Sequence, residues 1–374
     1  MFFQDSVKHL LLVGGGHSHL AVLKSFGDTP AAGARLTLVS PSRHAFYSGM
    51  VPGVVAGHYR PGDCRIDLGA LAVRAGARFF QDSAVGMDPA RREVITARGE
   101  RLPYDFLSLD IGSAIREPAG TGEHAIRLRP VEAFLAGWER LRASARKGEV
   151  RRIAVIGGGA AGVEVLLAMQ HALAGVAVEF ALFSDAPILD GHNESVRRSI
   201  GRMLHARGIM VHVGRKVVAV RHSEIQLESG ERFHAHATVW ATGAGAPAWI
   251  AKSGLAIDPS GFVAVSDMLQ SPSHPEVFAS GDCATILGSP GRKSGVFAVR
   301  QGPVLARNLR LALAGGAPER FRSPSRSLAL ISCGDRYAVA AWGRLAVEGA
   351  WVWRWKDRID RRFVERYRLG PAEN

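Results

Sequence analysis

The chain has 374 residues, 47% hydrophobic and 22% charged, enough apolar material for two or three domains of ordinary size. Its formal net charge is +13, but the Arg residues are scattered rather than gathered into a tract, which argues against nucleic-acid binding as the main role. No run is long enough to span a bilayer and the N-terminal segment "MFFQDSVKH" is too short for a secretory signal, so the expectation is a cytoplasmic protein, soluble or peripheral on the inner face of the membrane.

In chain order, "HLLLVGGG" reads as a buried strand entering a glycine turn, "HSHLAVLKSFG" as a helix and "ARLTLVS" as a second strand. "PSRHAFYSGMVPGVVAGHY" is a functional loop with a short helix. "DLGALAVRAGARFF" returns to helix and strand, and "REVITARGERLPYDFLSLDIGS" reads as a hairpin followed by a buried strand. After a linker and helix, "RRIAVIGGGAAGVEVLLAMQHAL" repeats the strand–turn–helix order. "VAVEFALF" is the next strand, and a helix across "NESVRRSIGRMLHARG" is capped by Asn193 and ended by Gly208 before "IMVHVG" resumes as strand. Beyond about residue 325, "SLALISCGDRYAVAAWGRLAVEG" predicts two or three strands, and "WVWRWKDRIDRRFVERYR" a helix.

The repeat is the informative feature: two mononucleotide-binding units begin near Lys8 and Arg151. In such a turn the first glycine permits the bend, the second lets a pyrophosphate approach the backbone, and the free N–H groups of the helix face the phosphates. Gly14 and Gly16 fill those places in the first unit, with Gly15 between them. Gly157, Gly159 and Gly162 complete G-x-G-x-x-G in the second. The first unit has His19 where the third glycine belongs, so its helix is expected to stand away or tilt. His19 is either a tolerated helix residue or, with His17, close to the phosphates or ring system.

Ribose hydroxyls are often met by an acid at the end of the second strand. The first unit offers Ser40 and Arg43 there, the second Ser184 and Asp185, and Asp185 mildly favours NADH over NADPH. Thr242-Gly243 and Gly281-Asp282 each follow an apolar strand. Asp282 suits a sugar or ribityl hydroxyl, against the plainer alternative of a turn aspartate.

Together these stretches resemble the FAD-dependent pyridine nucleotide–disulfide oxidoreductases, in the branch without the disulfide. "VGGGHSH", "SPSRHAFYSGMVPG", "IGGGAAGVE", "WATGAGAP", "FASGDCA" and "KSGVFAVRQGPVLARNLR" lie in family order over nearly the whole chain. Within the superfamily the likeness is to type II NADH dehydrogenases and to the flavoprotein domain fused to selenide, water dikinase. The resemblance implies an α/β chain with two Rossmann-like three-layer nucleotide-binding domains (glutathione-reductase-like). The NAD(P)H domain (119–246, with linker) would be inserted in a discontinuous FAD domain (1–118 and 247–325), and a small α+β region (326–374) would follow. It places FAD on Gly14, Gly15 and Gly16 with Asp282 at the ribityl chain, and NADH or NADPH on the second turn. Lys293 and Gln301 would lie near the flavin and Glu164 near the nicotinamide, though a helix-surface glutamate without a role is the alternative. No metal is implied. Cys64, Cys283 and Cys333 form no C-x-x-C pair, and Cys283 reads best as a small buried residue.

The implied activity is hydride transfer from NAD(P)H to flavin, then electrons to a small-molecule acceptor, a quinone or similar. The alternatives are a flavoprotein acting on a selenium or sulfur compound and a flavin-bearing partner with little turnover. Trp351, Trp355, Ile359, Phe363 and Tyr367 recur every four residues in a segment with seven Arg/Lys and three acids. That is a basic amphipathic helix, serving either as an interfacial anchor across 351–368 or as packing on the enzyme body or a homodimer interface.

Overall fold

The computed structural model describes residues 7–115, 124–289, 293, 295–323 and 328–369. Two five-stranded parallel sheets dominate it, and they have the same construction. In the first, the order is Val277–Ala279, Phe106–Leu109, Lys8–Val13, Ala34–Ser40, Ala77–Gln81. In the second it is Ile126–Arg127, Ala237–Trp240, Arg152–Ile156, Glu179–Ser184, Met210–Val213. The central strand of each carries the glycine turn at its C-terminal end. These strands are unbroken apolar runs because both sheet faces are covered, the second sheet by helix on one face and, on the other, by Val217, Val220, Ile225 and Leu227 of antiparallel strands packed on Ala154, Ile156, Ala181 and Phe183: Leu10, Leu11, Leu12, Ile153, Ala154 and Val155 are fully buried.

Eight α-helices complete the described chain: α1 (His17–Asp28), α2 (Val51–Val55), α3 (Leu68–Arg74), α4 (Val131–Arg146), α5 (Ala160–Ala172), α6 (Glu194–Ala206), α7 (Gly295–Leu313) and α8 (Ala350–Tyr367). The two units also match outside the parallel sheets. Each unit inserts a three-stranded antiparallel meander before its next parallel strand: Ala84–Pro103 between the third and fourth chain-order strands of the first sheet, where the sequence suggested a hairpin, and Val217–His234 between the fourth and fifth of the second. Val277–Ala279 returns to the first sheet beside Phe106–Leu109, so the second sheet is built from chain lying between two strands of the first. α7 then packs on α1 so closely that a Cβ on Gly302 would stand 2.8 Å from Ala21 Cβ.

The final strands, Ala329–Ser332, Ala338–Trp342 and Leu345–Gly349, form an antiparallel sheet of their own. One face packs on the second unit through Ile331, Cys333, Val339 and Ala341, and the other takes Val352 of α8 against Ala338 and Ala340. α8 continues onto the first unit: Tyr59 donates to Asp357 at 2.7 Å, and Lys356 donates to the Gly49 carbonyl at 2.6 Å. The C-terminal region thus holds one unit with its sheet and the other with its helix.

Candidate functional site

The first glycine turn is tight against the strand Phe106–Leu109. Gly14 has φ +99°, and a Cβ there would lie 2.2 Å from the Asp110 carbonyl oxygen. A Cβ on Gly16 would lie 2.2 Å from the Asp110 carboxylate. Only glycine fits at either place. The Asp110 carboxylate accepts from Ser18 N (2.8 Å) and His19 N (3.0 Å), so a residue from a neighbouring strand caps α1. Burial pushes its carboxyl up to about 7, against the pull of those two bonds. Sequence reading missed Asp110. The available signal was the repeat, because Ala241 occupies the corresponding place against Gly157.

His19 is fully buried and turned away from the cleft. One ring nitrogen meets the Gly14 carbonyl at 2.6 Å and the other the Ser108 hydroxyl at 2.8 Å. Its counterpart Gly162 explains the substitution. A Cβ on Gly162 would lie 2.0 Å from the Gly157 carbonyl, whereas His19 meets the equivalent carbonyl with a hydrogen bond. His17 has a different part. It lines the cleft, its Nε2 is buried with no partner, and its ring is edge-on to Tyr47 (5.4 Å) and Phe363 (5.7 Å). Burial lowers its pKa to about 4, so the ring is neutral near pH 7.

The cleft has a volume of about 680 Å³. It runs from Ser40 and Asp82 past Gly14, Gly15 and Gly16 to Asp282 and the start of α7 at Gly295. Gln301 does not line it. Its Oε1 accepts from Gly281 N at 2.7 Å and so fixes the Gly281–Asp282 turn, where Gly281 has φ +67° and a Cβ would lie 2.5 Å from the Asp110 carboxylate. Asp282 Oδ1 is buried without a partner, and Oδ2 pairs with Arg129 at 3.2 Å. Arg129, which the sequence did not single out, brings a cation to the mouth from the segment leading into α4. An orphaned carboxylate oxygen, an orphaned imidazole nitrogen and two glycines that admit no Cβ fit a dinucleotide whose polar groups supply the missing partners.

In the second turn Gly157 has φ +127° and its N–H bonds to the Phe183 carbonyl (2.8 Å), as Gly14 bonds to that of Val39 (2.8 Å). Gly159 faces open space at the N-terminus of α5. Asp185 is exposed at the end of the second strand. The Thr242 hydroxyl accepts from Trp240 Nε1 at 2.7 Å, and Gly243 is exposed beside it.

Four other sequence candidates are spent elsewhere. Arg43 pairs with Asp67 at 3.4 Å, outside the cleft lining. The Ser40 hydroxyl lines the cleft but donates to the Ser42 carbonyl at 2.9 Å. Lys293 bonds Thr285 Oγ1 at 2.8 Å and lies over the Phe262 ring. Glu164 accepts from Ser332 N at 2.8 Å, under the C-terminal sheet. Its carboxyl is pushed up to about 7 by burial, opposed by the charge of Lys356. Cys64, Cys283 and Cys333 are free and buried, and burial pushes their thiols up to about 11, 12 and 12. None is a ready thiolate nucleophile. No cluster able to hold a metal occurs among the described residues.

The profile of the pyridine nucleotide-disulphide oxidoreductases matches residues 8–306. The chain belongs to that family. Members of the pyridine nucleotide-disulphide oxidoreductase family bind FAD and NAD(P)H. Among curated relatives, "NADH dehydrogenase-like protein Rv1812c" of Mycobacterium tuberculosis is 30% identical over 240 residues, covering 59% of this chain and 58% of the relative. The chain therefore spans under two thirds of that relative's length. "Ferroptosis suppressor protein 1" of Taeniopygia guttata is 25% identical over 299 residues, covering 75% of each. In fold, the sulfide:quinone oxidoreductase from Aquifex aeolicus superposes with TM-score 0.82 at 18% identity, over 98% of this chain and 93% of the other. NDH2 from Plasmodium falciparum in complex with NADH superposes with TM-score 0.80 at 14% identity, over 96% and 97%.

The apolar stripe expected on α8 divides. Residues four apart advance about 40° around an α-helix at each step, so five of them cannot share one face. Phe363 and Tyr367 are buried, with Phe363 stacked on Tyr47 at 4.3 Å. Trp351, Trp355 and Ile359 are exposed, as are Trp342, Leu345 and Val347 in the adjoining strands. Arg344, Arg354, Arg358 and Arg362 are exposed among and beside them. No helix of the described residues is long and apolar enough to cross a membrane.

Proposed function

We propose that this chain is an FAD-dependent oxidoreductase that takes a hydride from NAD(P)H and passes electrons to an apolar small-molecule acceptor, a quinone or similar, at an anionic lipid surface. The observation that carries it is the duplicated turn. One copy opens on a long cleft ending at Asp282 and α7, and the other is a complete G-x-G-x-x-G turn. In this reading FAD occupies a domain made of 1–118 and 247–325, and NAD(P)H the inserted 119–246.

When bound, FAD supplies the hydride-accepting and electron-donating chemistry. The chain's own residues bind and orient. Gly14, Gly15 and Gly16 let the pyrophosphate reach backbone N–H groups, and Arg129 offsets its charge. Gln301 holds Gly281 so that Asp282 is presented to a sugar hydroxyl. The N-terminus of α7 brings positive dipole to the inner end of the cleft beside neutral His17. Gly157, Gly159, Gly162 and Asp185 hold the pyridine nucleotide.

The acceptor and the surface are argued from the C-terminal region. Six exposed apolar side chains on two strands and the helix that follows them are set among arginines, the composition that lies at the boundary of an anionic bilayer. The buried thiols disfavour a reaction through a protein disulfide. Anaerobic mixing with NADH or NADPH should bleach the flavin, and a ubiquinone analogue should restore its colour. Purified protein that takes up no FAD, or a flavin that neither nucleotide bleaches, overturns the reading.

A further inference from the structure

The exposed apolar patch and the second glycine turn are hydrogen-bonded to two points of one loop, the patch to Asn193 at its end and the turn to Leu189 within it. Asn193 is the N-cap of α6, with its Oδ1 accepting from Val196 N at 2.9 Å. Its other end, Nδ2, donates to the carbonyls of Gly343 (2.9 Å) and Leu345 (3.1 Å), at the tip of the C-terminal sheet. The residues at that tip, Trp342 and Leu345, are 59% and 75% exposed. In the other direction, Asn193 closes the loop that starts at Asp185. Within that loop Leu189, buried and at φ +54°, donates from its N–H to the Gly158 carbonyl at 2.8 Å. The path from tip to turn therefore runs from Leu345 to Asn193 by hydrogen bond, along the backbone to Leu189, whose carbonyl accepts from His192 N at 2.9 Å, and on to Gly158 by hydrogen bond.

We infer that Asn193 is a positioning residue through which contact of the Trp342–Leu345 tip with a lipid surface tightens binding at the pyridine-nucleotide turn. This rests on the reading above for both the surface and the nucleotide. The physical argument is one of ordering. A tip held at a surface holds the Asn193 end of the loop, and a loop already held loses less freedom when a nucleotide closes on Gly158 and Asp185. Linkage makes the effect reciprocal, so nucleotide must tighten surface binding by the same factor.

Asn193→Asp separates capping from coupling. A carboxylate still accepts from Val196 N but has no N–H for Gly343 and Leu345. Asn193→Ser is a second cap-competent variant with a shorter reach. The FAD-loaded full chain is mixed with NADH anaerobically, with and without phosphatidylglycerol–phosphatidylcholine vesicles, and the half-saturating NADH concentration for flavin bleaching is read. The limiting bleaching rate and vesicle co-sedimentation are recorded alongside. The wild type should show a half-saturating concentration about threefold or more lower on vesicles, with the limiting rate unchanged. Both variants should co-sediment and hold FAD as the wild type does, yet show one value in both conditions. Co-sedimentation of the wild type without a shift overturns the coupling alone, as does a shift retained in both variants. Failure of the wild type to co-sediment overturns the surface reading and the coupling with it.

Discussion

The ring of His19 holds the carbonyl of Gly14 at 2.6 Å, at the position where Gly162 approaches the carbonyl of Gly157 with no side chain at all. One helix–strand contact is therefore made in two ways within a single chain. His19→Ala would leave the Gly14 carbonyl and the Ser108 hydroxyl unpaired around a void, at a cost of about 2–4 kcal/mol. His19→Gly restores the fingerprint but not the ring, so it should be no more stable than His19→Ala. Urea unfolding of the apoprotein checks this, and a wild-type midpoint in either variant contradicts it.

The two turns should be separable by mutation. Gly162→Ala places a methyl against the Gly157 carbonyl, with only backbone to yield. It should raise the NAD(P)H concentration for half-maximal flavin bleaching at least tenfold and leave FAD content near one per chain. Gly16→Ala drives a methyl into the Asp110 carboxylate and should abolish FAD retention. Flavin-to-protein absorbance ratios after gel filtration distinguish the two outcomes.

Asp282→Asn keeps the shape of the side chain and removes its charge. The pair with Arg129 and the acceptor for a sugar hydroxyl are both weakened, so FAD retention should fall about tenfold. Arg129→Ala should fall similarly and lose part of its salt dependence, because a cation at a pyrophosphate is screened by ions. Equal retention in Asp282→Asn and wild type would remove Asp282 from the site.

Asp110 and Glu164 titrate near 7 in the folded chain, above their values of 3.8 and 4.5 in its absence. Between those limits the folded chain keeps protons that the unfolded chain has released, so the contribution of these two carboxyls to apoprotein stability falls as pH rises from about 4 to about 7, opposed by His17 and His19, whose burial lowers them to about 4 and whose contribution rises with pH up to about 6.5. Glu164→Gln removes one of the two contributions, worth at most about 3 kcal/mol. Across denaturant midpoints from pH 4.5 to 8, Glu164→Gln should therefore gain on the wild type as pH rises. An identical slope would show that Glu164 keeps its unfolded pKa.

Elements set by local pattern were legible in the sequence. Both glycine turns, the Asn193 cap and the apolar parallel strands follow from spacing and residue type within a dozen positions. What escaped depends on which strands lie side by side. Asp110 matters because Phe106–Leu109 pairs in parallel with Lys8–Val13, which brings a carboxylate 91 residues away onto His19 N. Glu164 sits in a helix whose glycine turn was read correctly, yet its partner is Ser332 in a strand that no local pattern attaches to α5. The stripe on α8 misled for a geometric reason: a repeat of four is not the helical repeat of 3.6, so one end of the series faces solvent and the other the core.

The order of assembly follows from the placement of residues 329–367. On the ribosome both parallel sheets can be complete before this segment emerges, since Val277–Ala279 already closes the first and the second lies wholly upstream. Until then nothing from the C-terminal region fixes one unit against the other, and Tyr47 lacks the ring of Phe363 that later stacks on it. Emergence of residues 329–367 therefore serves as a joining step, and a nascent chain paused before it would carry two folded halves still free to take up their nucleotides in either order.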